Sequence, residues 1–121
     1  MEVSLRQQAQ AYVKTVRGGL NRPEKFTTDS LFQLVALALE GFLISWLEER
    51  GGAPAHHAFR DLVRAVEKIG PLPADLKTRL LALDRYQKLC EWIPIDPLKP
   101  TRDQFPDLID LCESVDEYTS A

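Results

Sequence analysis

Histidine is nearly missing from this chain. Only two occur among 121 residues, side by side as His56-His57 in the stretch PAHHAFRDL. Neighbouring side chains on a helix point about 100° apart, so the pair cannot hold one metal in the usual i,i+4 way. No HExxH is present, because Ala58, Phe59, Arg60 and Asp61 come next. Following a Gly-Gly-Ala-Pro turn, the two histidines read first as a helix start or an inter-helix packing pair. A place in a binding cleft comes second, and metal binding or catalysis last. Cysteine is equally scarce. Cys90 and Cys112 form no CxxC and have no second pair, which excludes a zinc ribbon and a disulfide framework. Both lie in apolar-periodic surroundings and are expected as buried free thiols of a reducing compartment.

Other signatures are also missing. There is no Ser-His-Asp order, P-loop or GxGxxG, and Gly18-Gly19 precedes no GK[ST]. No motif implies a cofactor or a metal. The longest uninterrupted apolar run, Leu34 to Leu39, is far shorter than the ~20 residues of a membrane helix. Met1-Glu2-Val3-Ser4 lacks the basic segment and apolar core of an export leader. The expectation is a cytoplasmic protein with no membrane contact.

What is present is an ordinary globular composition, 45% apolar and 27% charged, which argues against disorder. The length fits one domain over residues 1–121. The net charge of −3 does not mark a nucleic-acid-binding protein. The charge is uneven, however: residues 1–25 hold five basic and two acidic side chains, whereas 103–121 hold six acidic and none basic. A local basic face near the start is therefore an open reading.

Strand-like alternation is absent, and Gly and Pro cut the chain into helical blocks. The first, about 3–20, repeats Leu5, Ala9, Tyr12, Val13 and Val16. The second follows Thr27-Thr28-Asp29-Ser30, any of which suits an N-cap, and runs to Gly51-Gly52. Its apolar residues, from Leu31 to Leu47, cover nearly the whole circumference, the mark of a central helix. Gly41 within it costs about 1 kcal/mol against Ala, which points to close helix packing. A third block, about 56–69, aligns Phe59, Leu62, Val63, Val66 and Ile69. A fourth, about 74–92, carries Leu76, Leu80, Leu81, Leu83, Tyr86, Leu89 and Cys90. Pro94, Pro97 and Pro100 stop it. Thr101 suits the N-cap of the last helix, with Phe105, Leu108, Cys112, Val115 and Tyr118 inward and Asp103, Asp107, Asp110 and Glu117 outward. The fold class expected is all-α, an antiparallel up-and-down bundle of about five helices.

Among the carboxylates, Glu40 stands mid-way along the apolar helix. Buried and ionised it would need a donor partner, for which Arg85, Arg64 and Arg60 are the candidates. Asp84-Arg85-Tyr86 and Trp92 end the fourth block, where Arg and Tyr suit a phosphate or a partner.

In order and length these blocks resemble the HEPN family, the helical domain named for higher eukaryotes and prokaryotes nucleotide-binding. LFQLVALALEGFLISWLEERGGAP, with its embedded Glu40, is similar to the family's central helix. HHAFRDLVRAVEKIG is similar to the helix that follows. LPADLKTRLLALDRYQKLCEW, with Leu83, Asp84 and Tyr86, resembles the long fourth helix, and TRDQFPDLIDLCESVDEYTS the closing one. The resemblance covers about 3–118. It implies a homodimeric bundle that is either a metal-independent ribonuclease, often a toxin, or a non-nuclease module binding nucleotides or pairing with a nucleotidyltransferase. The nuclease form uses an Arg followed four to six residues later by His. With Arg85 as that Arg, positions 90–92 hold Cys90, Glu91 and Trp92. Without a His, nothing there titrates near neutral pH to move a proton. Ile44 stands where the family commonly has a Lys, and its Arg-Tyr-Pro ending is absent.

The leading expectation is thus a non-catalytic, HEPN-like binding module, with a nucleotide or phosphate cleft lined by Glu40, His57, Arg64, Arg85 and Tyr86. The alternatives are a divergent ribonuclease toxin using Arg85, and an antitoxin-like or scaffold protein whose acidic last helix docks a basic partner.

Overall fold

A computed structural model describes residues 4–52, 58–86 and 100–120, with all their side chains except those at 84 and 85. These residues form five α-helices and no strand: α1 (Leu5–Gly19), α2 (Thr28–Glu49), α3 (Phe59–Ile69), α4 (Ala74–Ala82) and α5 (Phe105–Ser120). The chain is all-α, as its missing alternation implied.

Local chemistry starts and stops the helices. Ser4 and Gln7 form a capping box on α1, each side chain bonding the other's backbone N–H at 3.1 Å. Of the four candidates before α2, Thr27 is the cap, accepting from the Ser30 N–H at 3.1 Å. At the far end Gly51 adopts φ +76°. The Gly52 N–H then reaches the Leu47 carbonyl at 2.7 Å and the Gly51 N–H that of Glu48 at 3.1 Å, a Schellman stop that needs glycine. Thr101 and Gln104 make a second capping box on a 3-10 turn, Arg102–Gln104, that runs into α5.

The fourth block departs from expectation. Its α-helix ends at Ala82 and tightens into a 3-10 turn, Leu83–Tyr86, so Tyr86 stands on a turn. Positions 87–92 lie outside the described residues.

α2 occupies the middle and packs on α1, α3 and α5. Leu31, Val35, Leu39, Phe42, Leu43 and Leu47 on it are wholly buried, with Phe59 of α3 and Phe105 of α5. A Cβ on Gly41 would stand 3.1 Å from the Ala9 Cβ and 3.3 Å from the Leu5 carbonyl oxygen. At the other end of α1, a Cβ on Gly19 would meet Leu31 at 2.9 Å. The two contacts make α1 and α2 antiparallel and draw their backbones together. The periodicity expected Leu5, Ile69 and Leu81 inside with Leu37 on the all-round apolar helix, yet each is at least a third exposed. α1, α3 and α5 pack on α2 and leave Leu37 uncovered, and the outer helices each bury only one face.

Counted as a helix and not as an uninterrupted run, α2 is 22 residues long with a mean hydropathy of 1.7 in its most apolar window. By length and composition it could cross a membrane, which corrects the exclusion drawn from run length. Just over half of that window, 56%, is buried inside the bundle.

The helix order also departs in one place from strict alternation. Ile69, the last residue of α3, lies 3.2 Å from where a Gly52 Cβ would stand, and a Cβ on Gly70 would stand 3.8 Å from the Trp46 indole. α2 and α3 therefore finish at the same end of the bundle and form no antiparallel hairpin.

Arginines tie the helix ends. Arg6 of α1 donates to the Thr119 carbonyl (2.8 Å), the Thr119 and Ser120 hydroxyls (2.9 and 3.0 Å) and the Asp116 carboxylate (3.2 Å). It thereby caps the negative end of α5. Arg102 donates to the carbonyls of Leu20 and Phe26, holding the α1–α2 link. Arg17 pairs with Glu113 at 3.0 Å. The basic first segment thus turns Arg6 and Arg17 onto the acidic last helix, leaving less of a basic face than the charge count allowed.

Two glycine substitutions should separate contact from propensity. Gly41→Leu forces a side chain between α1 and α2 and should destabilise by about 1–3 kcal/mol. Gly18 has open space around it, so Gly18→Ala should stabilise by about 0.5–1 kcal/mol. Urea midpoints at unchanged m-value read both.

Candidate functional site

A concavity among the described residues lies between α4 with its 3-10 turn and α5. Arg79, Ala82, Leu83 and Tyr86 line one wall; Gln104, Asp107, Leu108 and Leu111 line the other. Both sets follow helical spacing, so each wall is one stripe of its element. Leu83, Leu108 and Leu111 are buried and form the floor. The Tyr86 ring packs edge-on against Phe32, centroids 5.3 Å apart at 68°, which fixes it as a wall. The groove is open to solvent and its volume is about 200 Å³, below the ~300–1,000 Å³ of small-molecule sites.

The polar groups of this groove are already committed or acidic. Arg79 donates to the Asp107 carbonyl at 3.0 Å and the Asp110 carboxylate at 3.2 Å, and stands 3.7 Å from Asp75. Its guanidinium clamps α4 to α5. Asp107 lines the groove, Asp103 precedes it by one turn, both are exposed, and neither has an ion pair among the described residues. An incoming phosphate would meet carboxylates beside one arginine that is already engaged, a poor setting for an anion.

The described sequence candidates stand as follows. Tyr86 alone lines the groove. Glu40 is half-buried on α2 and outside it, while Arg64 and Arg60 are exposed on α3. His57 and the Arg85 side chain lie outside the described residues. Arg79, Leu111 and Gln104 escaped the sequence reading of the site. Their signal was the i,i+4 spacing of Arg79 with Leu83 and of Gln104 with Leu108, legible only once the two stripes are known to face each other.

A second concavity, about 430 Å³, is lined by Thr15, Gly18, Gly19, Asn21, Arg22 and Phe26. It lies at the carbonyl end of α1, the negative pole of the helix, and the Asn21 and Arg22 backbone N–H groups are used within the turn. That also disfavours a phosphate. A third cluster is structural: Arg50 lies 4.0 Å over Trp46, which stacks on Tyr118 at 6.0 Å. The Tyr118 hydroxyl donates to the Pro71 carbonyl at 2.7 Å. Burial pushes the Tyr118 phenol above its ordinary value, opposed by Arg50. No group of three or more His, Cys, Asp or Glu converges as a metal site among the described residues.

Cys112 is free and buried, and burial, followed by the neighbouring Glu113, pushes its thiol up to about 12. The thiolate is the nucleophile, so Cys112 is inert near neutral pH. In a Cys90→Ser background, a thiol reagent at pH 8 should label no site in the native protein and one in urea. A folded pKa above the unfolded value near 9 means stability is complete below pH 9 and lost as pH rises toward 12. In that window, wild type should lose up to about 1.4 kcal/mol per pH unit more than Cys112→Ala, read by chemical denaturation.

Compared with family models, curated proteins and solved structures, the chain matches none, so the functional argument rests on the fold and its surfaces.

Proposed function

We propose that this protein is a helical interaction module that works by docking a partner protein, the non-catalytic form of the HEPN-like reading. The observation that carries it is the groove between α4 and α5, whose floor is apolar and whose rim is acidic. Such a surface takes side chains of another protein more readily than a nucleotide, because Arg79, the arginine among its described lining residues, already donates to α5. Catalysis by the family's ribonuclease route lacks its histidine, since positions 90–92 read Cys-Glu-Trp. A cytoplasmic setting and a homodimer belong to this reading, as does a nucleotidyltransferase as one class of partner.

Co-expression with the product of the adjacent gene tests it. The tagged chain should retain that product through size-exclusion chromatography. The same preparation should cleave no RNA without metal and show no thermal shift with ATP. Cleavage abolished by Arg85→Ala would make the protein a nuclease. A shift of several degrees with ATP, the size expected when ligand far exceeds its Kd, would make it a nucleotide binder.

A further inference from the structure

We infer that the α4–α5 groove receives a basic amphipathic segment, most simply one helix of the partner, with its apolar side chains on the groove floor and its Lys or Arg side chains along α5. This rests on the interaction-module reading and names its surface and the partner's chemistry.

The argument starts with the floor. Ala82, Leu83 and Tyr86 face Leu108 and Leu111 across the groove. A space of about 200 Å³ admits one or two apolar side chains and leaves the rest of a ligand outside. Helix-in-groove recognition works in this way, through a few anchors spaced i and i+3 or i+4.

The rim supplies direction and sign. Asp103 on the 3-10 turn that leads into α5, and Asp107 and Asp110 on α5, follow one another at spacings of four and three; Asp107 lines the groove and the other two flank it along the chain. Asp110 is paired with Arg79, while Asp103 and Asp107 have no ion pair among the described residues. Further along, Glu117 is also exposed. An occupant with acidic flanks would be repelled along the whole edge. One with basic flanks gains charge complementarity, which sets encounter rate and register more than raw affinity. Arg79 does not cancel this preference, because its guanidinium is held by Asp110 and the Asp107 carbonyl.

The probe is a fluorescein-labelled helical peptide of about 14 residues, some four turns, with Leu at i, i+3, i+4 and i+7 and Lys on both flanks. A Glu-flanked version is the control. Anisotropy should show the Lys-flanked peptide binding the full chain, with affinity falling as salt rises and the control failing to bind. The charge reversal Asp103→Lys with Asp107→Lys, both at exposed positions, should weaken binding at least tenfold. Backbone amide shifts should move at 82–86 and 104–111. Tyr86→Ala should also weaken binding.

The inference falls if the Lys-flanked peptide does not bind or if charge reversal leaves its affinity unchanged. It also falls if the shifts lie elsewhere, or if residues 87–99 of the chain, or a second copy of it, already fill the groove. It fails separately from the module reading: retention of the adjacent-gene product by the charge-reversed protein at wild-type level would keep the module and move its interface.

Discussion

A helix apolar on nearly every side has to be surrounded, and the rest of this protein answers that constraint. α2 buries Leu31, Val35, Leu39, Phe42, Leu43 and Leu47 completely, each contributing about 1.5–3 kcal/mol. The cover must come close to be dry. Gly41 against Ala9 and Gly19 against Leu31 let α1 approach where a larger side chain would hold it off. With α1 seated, α5 lies along both, and its carbonyl end is taken by Arg6. α3 packs on α2, and α4 bridges α3 and α5.

Electrostatics then serve the assembly. The basic start and acidic end of the chain meet in space, as Arg6 with Asp116 and Arg17 with Glu113. These are exposed or half-exposed pairs, individually worth little. Arg6 differs because one guanidinium satisfies a helix-terminal carbonyl, two hydroxyls and a carboxylate together. Arg102 does the same for the link after α1, and Arg79 for α4 on α5. Three arginines therefore serve as braces, while Asp103 and Asp107 at the start of α5 have no ion pair among the described residues. That asymmetry gives the groove its character.

The elements themselves were legible because they are local. Thr101, Thr27 and the Gly51-Gly52 stop act over three to six residues, and the circumference of apolar side chains on α2 marks it as central without reference to any neighbour. Gly41 could be read as a close contact because a mid-helix glycine costs stability that something must offset. The site was poorly legible for the opposite reason. Arg64 and Glu40 were chosen by residue type and position along the chain, and neither lines the groove: Arg64 is exposed on α3, and Glu40 is half-buried on α2.

The sequence by itself therefore determined five amphipathic or apolar helices, the Thr caps before α2 and α5, the glycine stop of α2 and the identity of the central helix, since each follows from spacing within a single segment. Only the tertiary structure decided which stripes face each other. It set α3 to end beside the end of α2, turned Arg6 and Arg17 onto α5, and brought Arg79, Leu83 and Tyr86 opposite Gln104, Leu108 and Leu111. Such pairings join residues far apart in the chain through packing angles and helix order, and no periodicity within one helix contains them.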